Sequence, residues 1–92
     1  MSTPTRSVSA ARVATLVGDF DRSPAYAGLA DALTELVGDG RIPYATRLPS
    51  ERELTDALAV SRTTVTRAYA ALRESGYAEA RQGAGTFARV PG

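Results

Sequence analysis

The sequence predicts a mainly α-helical domain that ends in a small β-hairpin. Three observations predict it. Apolar residues recur at helical spacing in four segments, each preceded by Ser or Pro. After Gly76 the period shortens to two strand-like runs, residues 77–81 and 86–90, around the turn Gln82-Gly83-Ala84-Gly85. The chain has 92 residues, 43% of them hydrophobic, which suits one small core.

Taken in order, residues 1–6 are rich in Ser, Thr and Pro and are expected to fray. Ser7 or Ser9 caps a short helix reaching Gly18, with Val13, Leu16 and Val17 on one face. Residues 19–23 are a polar loop. A second helix is expected with Ser23 as N-cap and Pro24 at the first helical position, where its missing N–H costs nothing. Its apolar stripe is Tyr26, Leu29, Ala30, Leu33, Leu36 and Val37, and Gly38 and Gly40 end it. Residues 42–45 form a turn, and Arg47-Leu48 a short strand before Pro49.

Ser50-Glu51-Arg52-Glu53 is a capping box, in which the Ser50 hydroxyl and the Glu53 carboxylate each satisfy a backbone N–H of the other residue. The helix it opens buries Leu54, Ala57 and Leu58 and stops by Ala59. Val60 fills a tight turn. Ser61 caps the last helix, about residues 62–75, whose buried stripe is Val65, Ala68, Tyr69 and Leu72. Tyr26 and Tyr69 are read as packing residues with their hydroxyls near the surface. Two helices separated by about three residues make a helix-turn-helix, and a hairpin straight after makes it winged. The expected fold is thus a winged helix-turn-helix with an N-terminal helical extension. Residues 1–24 are the tail and short helix, 25–90 the winged domain, and 91–92 the start of a linker.

The formal net charge is only +1, so any hold on nucleic acid must come from local placement. The 11 basic residues are all Arg. Up to Thr46, four Arg face five acids; from Arg47 onward, seven Arg face five. The missing Lys is read as genomic base composition, which does not explain where the Arg residues fall. With no Cys or His, disulfides, thiol chemistry and the usual triads are excluded, and zinc sites are not expected. Gly83-Ala84-Gly85-Thr86 lacks the Lys of a phosphate loop and does not lead into a helix. Asp19 and Asp21 are read as solvated loop carboxylates. No enzyme, metal or cofactor is expected in these residues. The apolar runs fall far short of the roughly 20 residues of a membrane span, and no secretory signal opens the chain. A cytoplasmic protein is expected.

The face of the last helix opposite its buried stripe carries Thr63, Thr66, Arg67 and Ala70. Small residues there allow deep seating in a major groove, and Arg62 in the first turn suits a bidentate pair with guanine. Ser61 and the free N–H groups beside it suit a phosphate. Arg52 would cross the backbone next to it. Arg81, Gln82 and Gly83 crown the hairpin, where Gly lets the backbone approach a phosphate or the minor groove. Each feature alone is weak; an exposed Arg is commonly just solvated. Their conjunction carries the reading of double-stranded DNA as partner.

Leu48-Pro49-Ser50-Glu51-Arg52-Glu53-Leu54, then Val60-Ser61-Arg62-Thr63-Thr64-Val65, then Gly76, then Arg81-Gln82-Gly83-Ala84-Gly85-Thr86-Phe87, together resemble the DNA-binding domain of the GntR family. The resemblance covers residues 26–90. It implies a dimeric bacterial repressor or activator on an operator with two half-sites, its effector unknown. By motif position it implies DNA contacts from Arg52, Ser61, Arg62, Thr63, Thr64, Thr66, Gln82 and Gly83. Many members have Arg where Thr66 stands. Ala45 and Ala59 stand where the family often has Gly, so turns needing positive φ are expected to be strained or reshaped. Ala68-Tyr69 and the helical lead-in look like the MocR subgroup, which implies an aminotransferase-like pyridoxal-phosphate domain beyond a linker, outside these residues. The competing reading is a winged helix used for protein contact without DNA. It predicts an exposed apolar patch on the last helix, and Thr63, Thr66 and Arg67 supply none.

Overall fold

The computed structural model describes residues 6–91. Along them run α1 (Ala10–Val17), α2 (Ala25–Gly38), α3 (Glu51–Leu58), α4 (Arg62–Ser75), β1 (Ala78–Arg81) and β2 (Gly85–Ala88). This is the expected order of four helices and a hairpin. Residues 1–5 and 92, part of the expected tail and linker, lie outside the described residues. Arg6 belonged to the segment expected to fray, yet its carbonyl accepts the Arg47 N–H at 2.7 Å.

Of the two candidate caps for α1, Ser9 is the one used: its hydroxyl accepts the Arg12 N–H at 3.0 Å. Val13 and Val17 are buried against α2 and α3, so the extension shares the core of the winged domain. The start of α2 differs from expectation. Pro24, not Ser23, occupies the N-cap position, and no side chain caps the helix. Ser23 instead gives its N–H to the Asp21 carboxylate at 3.0 Å, since a short Asx turn competes well for a donor in a polar loop. Leu29, Ala30, Leu33, Leu36 and Val37 are buried as predicted, while Tyr26 is only half-buried. α2 packs chiefly along α4, and together these two helices form the body of the core.

The capping box of α3 is present in both directions, Ser50 Oγ accepting the Glu53 N–H and Glu53 Oε1 accepting the Ser50 N–H, each at 3.1 Å. These bonds from Ser50 hold the Glu53 carboxyl below its ordinary pKa. Leu54 and Leu58 are buried; Ala57 is exposed. The two Ala residues that replace Gly are not accommodated by reshaped turns. Ala45 has φ 68° and Ala59 φ 54°, both left-handed. A Cβ in that region costs about 1 kcal/mol relative to Gly. Ala59 is exposed, so replacing it removes no packing. Ala59→Gly should therefore stabilise the domain by about 0.5–1 kcal/mol in urea unfolding, despite the freer unfolded chain. A loss of stability would contradict the left-handed cap.

The turn between α3 and α4 is short, and Ser61 caps α4 by accepting the Thr64 N–H at 3.1 Å. Val65, Ala68, Tyr69 and Leu72 are all buried, as the spacing predicts, and Gly76 ends the helix at φ 86°. β1 and β2 pair antiparallel, with Ala78 opposite Ala88 and Arg81 opposite Gly85. β2 is shorter than expected, ending at Ala88, though Arg89 still gives its N–H to Tyr77 at 3.0 Å. The short strand expected at Arg47-Leu48 is a single bridging residue. Arg47 pairs with Phe87 on one side and Ser7 on the other, so the wing is backed by two further chain segments.

Candidate nucleic-acid interface

α4 is held from behind and left open in front. Its buried stripe lies on α2, α3 and β1, while Arg62, Thr63, Thr66 and Arg67 are exposed and Thr64 and Ala70 half-buried. Tyr69 locks the helix in place. Its hydroxyl was expected near the surface, but it is buried and donates to the Pro49 carbonyl at 2.7 Å. Burial, with the Glu51 and Glu53 charges adding to it, pushes the phenol well above its ordinary pKa. The bond ties α4 to the chain entering α3, and so sets the two helices against each other. Tyr69→Phe leaves a buried carbonyl unpaired and should cost about 1–2 kcal/mol. Equal urea midpoints for the two proteins would contradict that tie.

The polar residues at the front divide by what their side chains already do. Ser61 Oγ takes the Thr64 N–H and also shares a 2.9 Å hydrogen bond with Thr64 Oγ1, so these two hydroxyls shape the helix start. The N–H groups of Arg62 and Thr63 have no partner within the helix and point outward at its positive end. Thr66 Oγ1 donates to Glu51 Oε1 across the helix-turn-helix. Arg67 stacks its guanidinium 4.1 Å from the centroid of Tyr26 on α2. The side chains of Arg62 and Arg52 make no hydrogen bond or ion pair among the described residues, so both are at liberty to meet a ligand. Gln82 and Gly83 are exposed at the hairpin tip, with Gly83 at φ 76°.

Several of these couplings escaped the sequence reading. Glu51 and Thr66 stand fifteen residues apart, and Arg67 and Tyr26 farther still; no helical spacing links such pairs. The sequence predicts for Arg47 only a place in a short strand. Its guanidinium crosses Gly85, where an added Cβ would lie 3.0 Å from Nε.

The large exposed apolar residues among those described are Tyr44 and Val90, and neither is on α4. The patch required by the protein-contact reading is therefore not on the described part of that helix. No group of three or more His, Cys, Asp or Glu side chains gathers among the described residues. None of their helices is long and apolar enough to cross a membrane.

A capped helix with an open polar front, set by a second helix and flanked by a hairpin, defines a winged helix-turn-helix of the DNA-binding kind. The family model described as bacterial regulatory proteins, gntR family, matches residues 25–88. The chain belongs to the GntR family, and its winged domain is that family's DNA-binding module. It is 46% identical over 68 residues to an HTH-type transcriptional regulator of Mycobacterium tuberculosis, covering 74% of this chain and 25% of the relative. It is 37% identical over 81 residues to the histidine utilization repressor of Pseudomonas putida, covering 86% and 33%. A probable rhizopine catabolism regulatory protein, MocR, of Rhizobium meliloti is 40% identical over 73 residues, covering 78% and 15%. Among solved structures, YtrA from Sulfolobus acidocaldarius, a GntR-family transcription factor, superposes with a TM-score of 0.70 at 30% identity, covering 78% of this chain and 76% of that one. The chain spans between a quarter and a third of the length of the Mycobacterium and Pseudomonas regulators.

Proposed function

We propose that α4 enters the major groove of an operator and that the wing, residues 81–86, meets the adjoining backbone or minor groove. The observation that carries this is the front of α4, where Arg62 and Thr63 are exposed beside unpartnered N–H groups and a rigid apolar stripe fixes the helix behind them. In this reading Arg62 is the base reader, a bidentate donor to the O6 and N7 of guanine. The helix start at Ser61, Arg62 and Thr63 seats a phosphate, and Arg52 meets the neighbouring one. Thr64 and Ser61 hold the helix start in shape. Thr66 reads through its methyl group, since its hydroxyl is engaged by Glu51, and Arg67 approaches the backbone from its seat on Tyr26. Gln82 and Gly83 form the wing contact.

The full-length protein, on this proposal, is a homodimer whose two domains occupy two half-sites of one operator, under an effector bound elsewhere. It works beside the chromosome in the cytoplasm. The likeness to the Rhizobium regulator supports a MocR-type architecture, with a pyridoxal-phosphate domain beyond these residues. That cofactor does not fit the present chain, which has no Lys to form its Schiff base.

Titrating isotope-labelled protein with a duplex from the region upstream of its own gene tests the interface. Amide shifts should concentrate at residue 52 and at residues 61–67 and 81–86. Shifts produced only by a protein ligand, centred on Tyr44 and Val90, would favour the protein-contact reading instead.

A further inference from the structure

Phe87 is only 4% exposed, yet it lies apart from the main core cluster. What covers it is charged. Arg81 places its guanidinium 4.4 Å from the ring centroid. Arg47 stands directly opposite Phe87 in the sheet and runs over Gly85, two residues nearer the tip. Residues paired directly across a sheet share a face, and so do residues two apart along a strand. Glu79, Arg81, Gly85, Phe87 and Arg47 therefore line one side of the wing. On that side Arg81 is paired with Glu79 at 3.3 Å, and Glu79 also holds Arg89 at 3.1 Å. Arg47 feels the charge of the Glu53 carboxylate, but no carboxylate lies within ion-pair distance of it among the described residues. Gly85 suits the arrangement twice over: its φ of 117° disfavours a side chain, and a Cβ would press on the Arg47 guanidinium.

We infer that Arg47 is a further DNA-backbone contact, a cation delivered to the wing from outside the hairpin and held over Gly85 so that it meets a phosphate when Gln82 and Gly83 meet the duplex. Gly85 immediately follows the tip, and a strand advances about 3.3 Å per residue. A phosphate touching the tip thus comes within the span of an Arg side chain lying across Gly85. A contact of this kind adds affinity without sequence preference.

The inference rests on the proposed DNA function, and one experiment separates the two. Wild type, Arg47→Gln and Arg47→Lys are titrated with an upstream duplex and a scrambled duplex of equal length over a series of salt concentrations. Thermal unfolding of each variant checks the fold. Arg47→Gln should weaken binding to both duplexes by the same factor, on the order of tenfold, as for loss of one charged hydrogen bond. Its slope of log affinity against log salt should be shallower by about 0.9, the value for one phosphate. Arg47→Lys should restore the slope. If wild type binds with a steep slope and a folded Arg47→Gln keeps both affinity and slope, this inference fails and the DNA function stands. If wild type binds neither duplex, both fail together.

Discussion

Gly28→Ala should destabilise the domain by about 3 kcal/mol or more, although it places the best helix former inside a helix. On propensity alone the change would stabilise by about 1 kcal/mol. The structure reverses the sign. A Cβ at Gly28 would overlap the carbonyl oxygen of Asp21 and stand 2.7 Å from its carbonyl carbon. These are backbone atoms, so no rotamer relieves the clash. Either the loop of residues 19–23 moves away from α2 or the helix shifts. Moving the loop pulls at Phe20, which packs on the core, and shifting α2 disturbs its long contact with α4. Overpacking commonly costs about 1–3 kcal/mol, and more when the obstacle is main chain. For a domain of this size, about 3 kcal/mol lowers Tm by roughly 12–24 °C. A rise in Tm would show that the loop does not lie on Gly28.

Arg62→Ala should leave the fold intact and abolish most of the sequence preference. Arg62 is exposed, its side chain makes no hydrogen bond or ion pair among the described residues, and it lies in the first turn of α4, where Ala is at least as good a helix former. Its thermal unfolding should match wild type. Loss of one bidentate base contact is worth about 1–3 kcal/mol, so preference for the operator over a scrambled duplex should fall roughly 5- to 150-fold. Binding to the scrambled duplex should fall much less, because phosphate contacts elsewhere remain. The contrast with Arg47 is sharp. Removing a base reader changes discrimination and leaves the salt slope nearly unchanged; removing a phosphate contact changes the slope and leaves discrimination alone.

How much of this was legible in the sequence follows from the range of each interaction. The capping box of α3, the Ser61 cap and the stripe Val65, Ala68, Tyr69 and Leu72 depend on neighbours within one or two turns, and spacing alone predicts them. The start of α2 was misread because two local devices compete there. Ser23 qualified as a cap, but the Asp21 carboxylate captures its N–H and Pro24 takes the cap position. Ala45 and Ala59 show the opposite failure. Their strain suggested reshaped turns, yet both keep positive φ, at 68° and 54°. The Tyr69 hydroxyl, the Thr66–Glu51 hydrogen bond, the Arg67–Tyr26 stack and the Arg47 crossing all join residues brought together only by the tertiary fold. They bear directly on the interface, because they decide which of its polar groups are already engaged.

The central claim is that this winged domain binds duplex DNA through the front of α4 and the wing. The most direct test is an equilibrium titration of an upstream duplex with the wild-type chain, at two salt concentrations, against a scrambled duplex of equal length. The account predicts measurable binding to both, tighter on the upstream duplex, with affinity falling steeply as salt rises. Binding that ignores salt, or no binding to either duplex even when two copies are covalently linked, would contradict it.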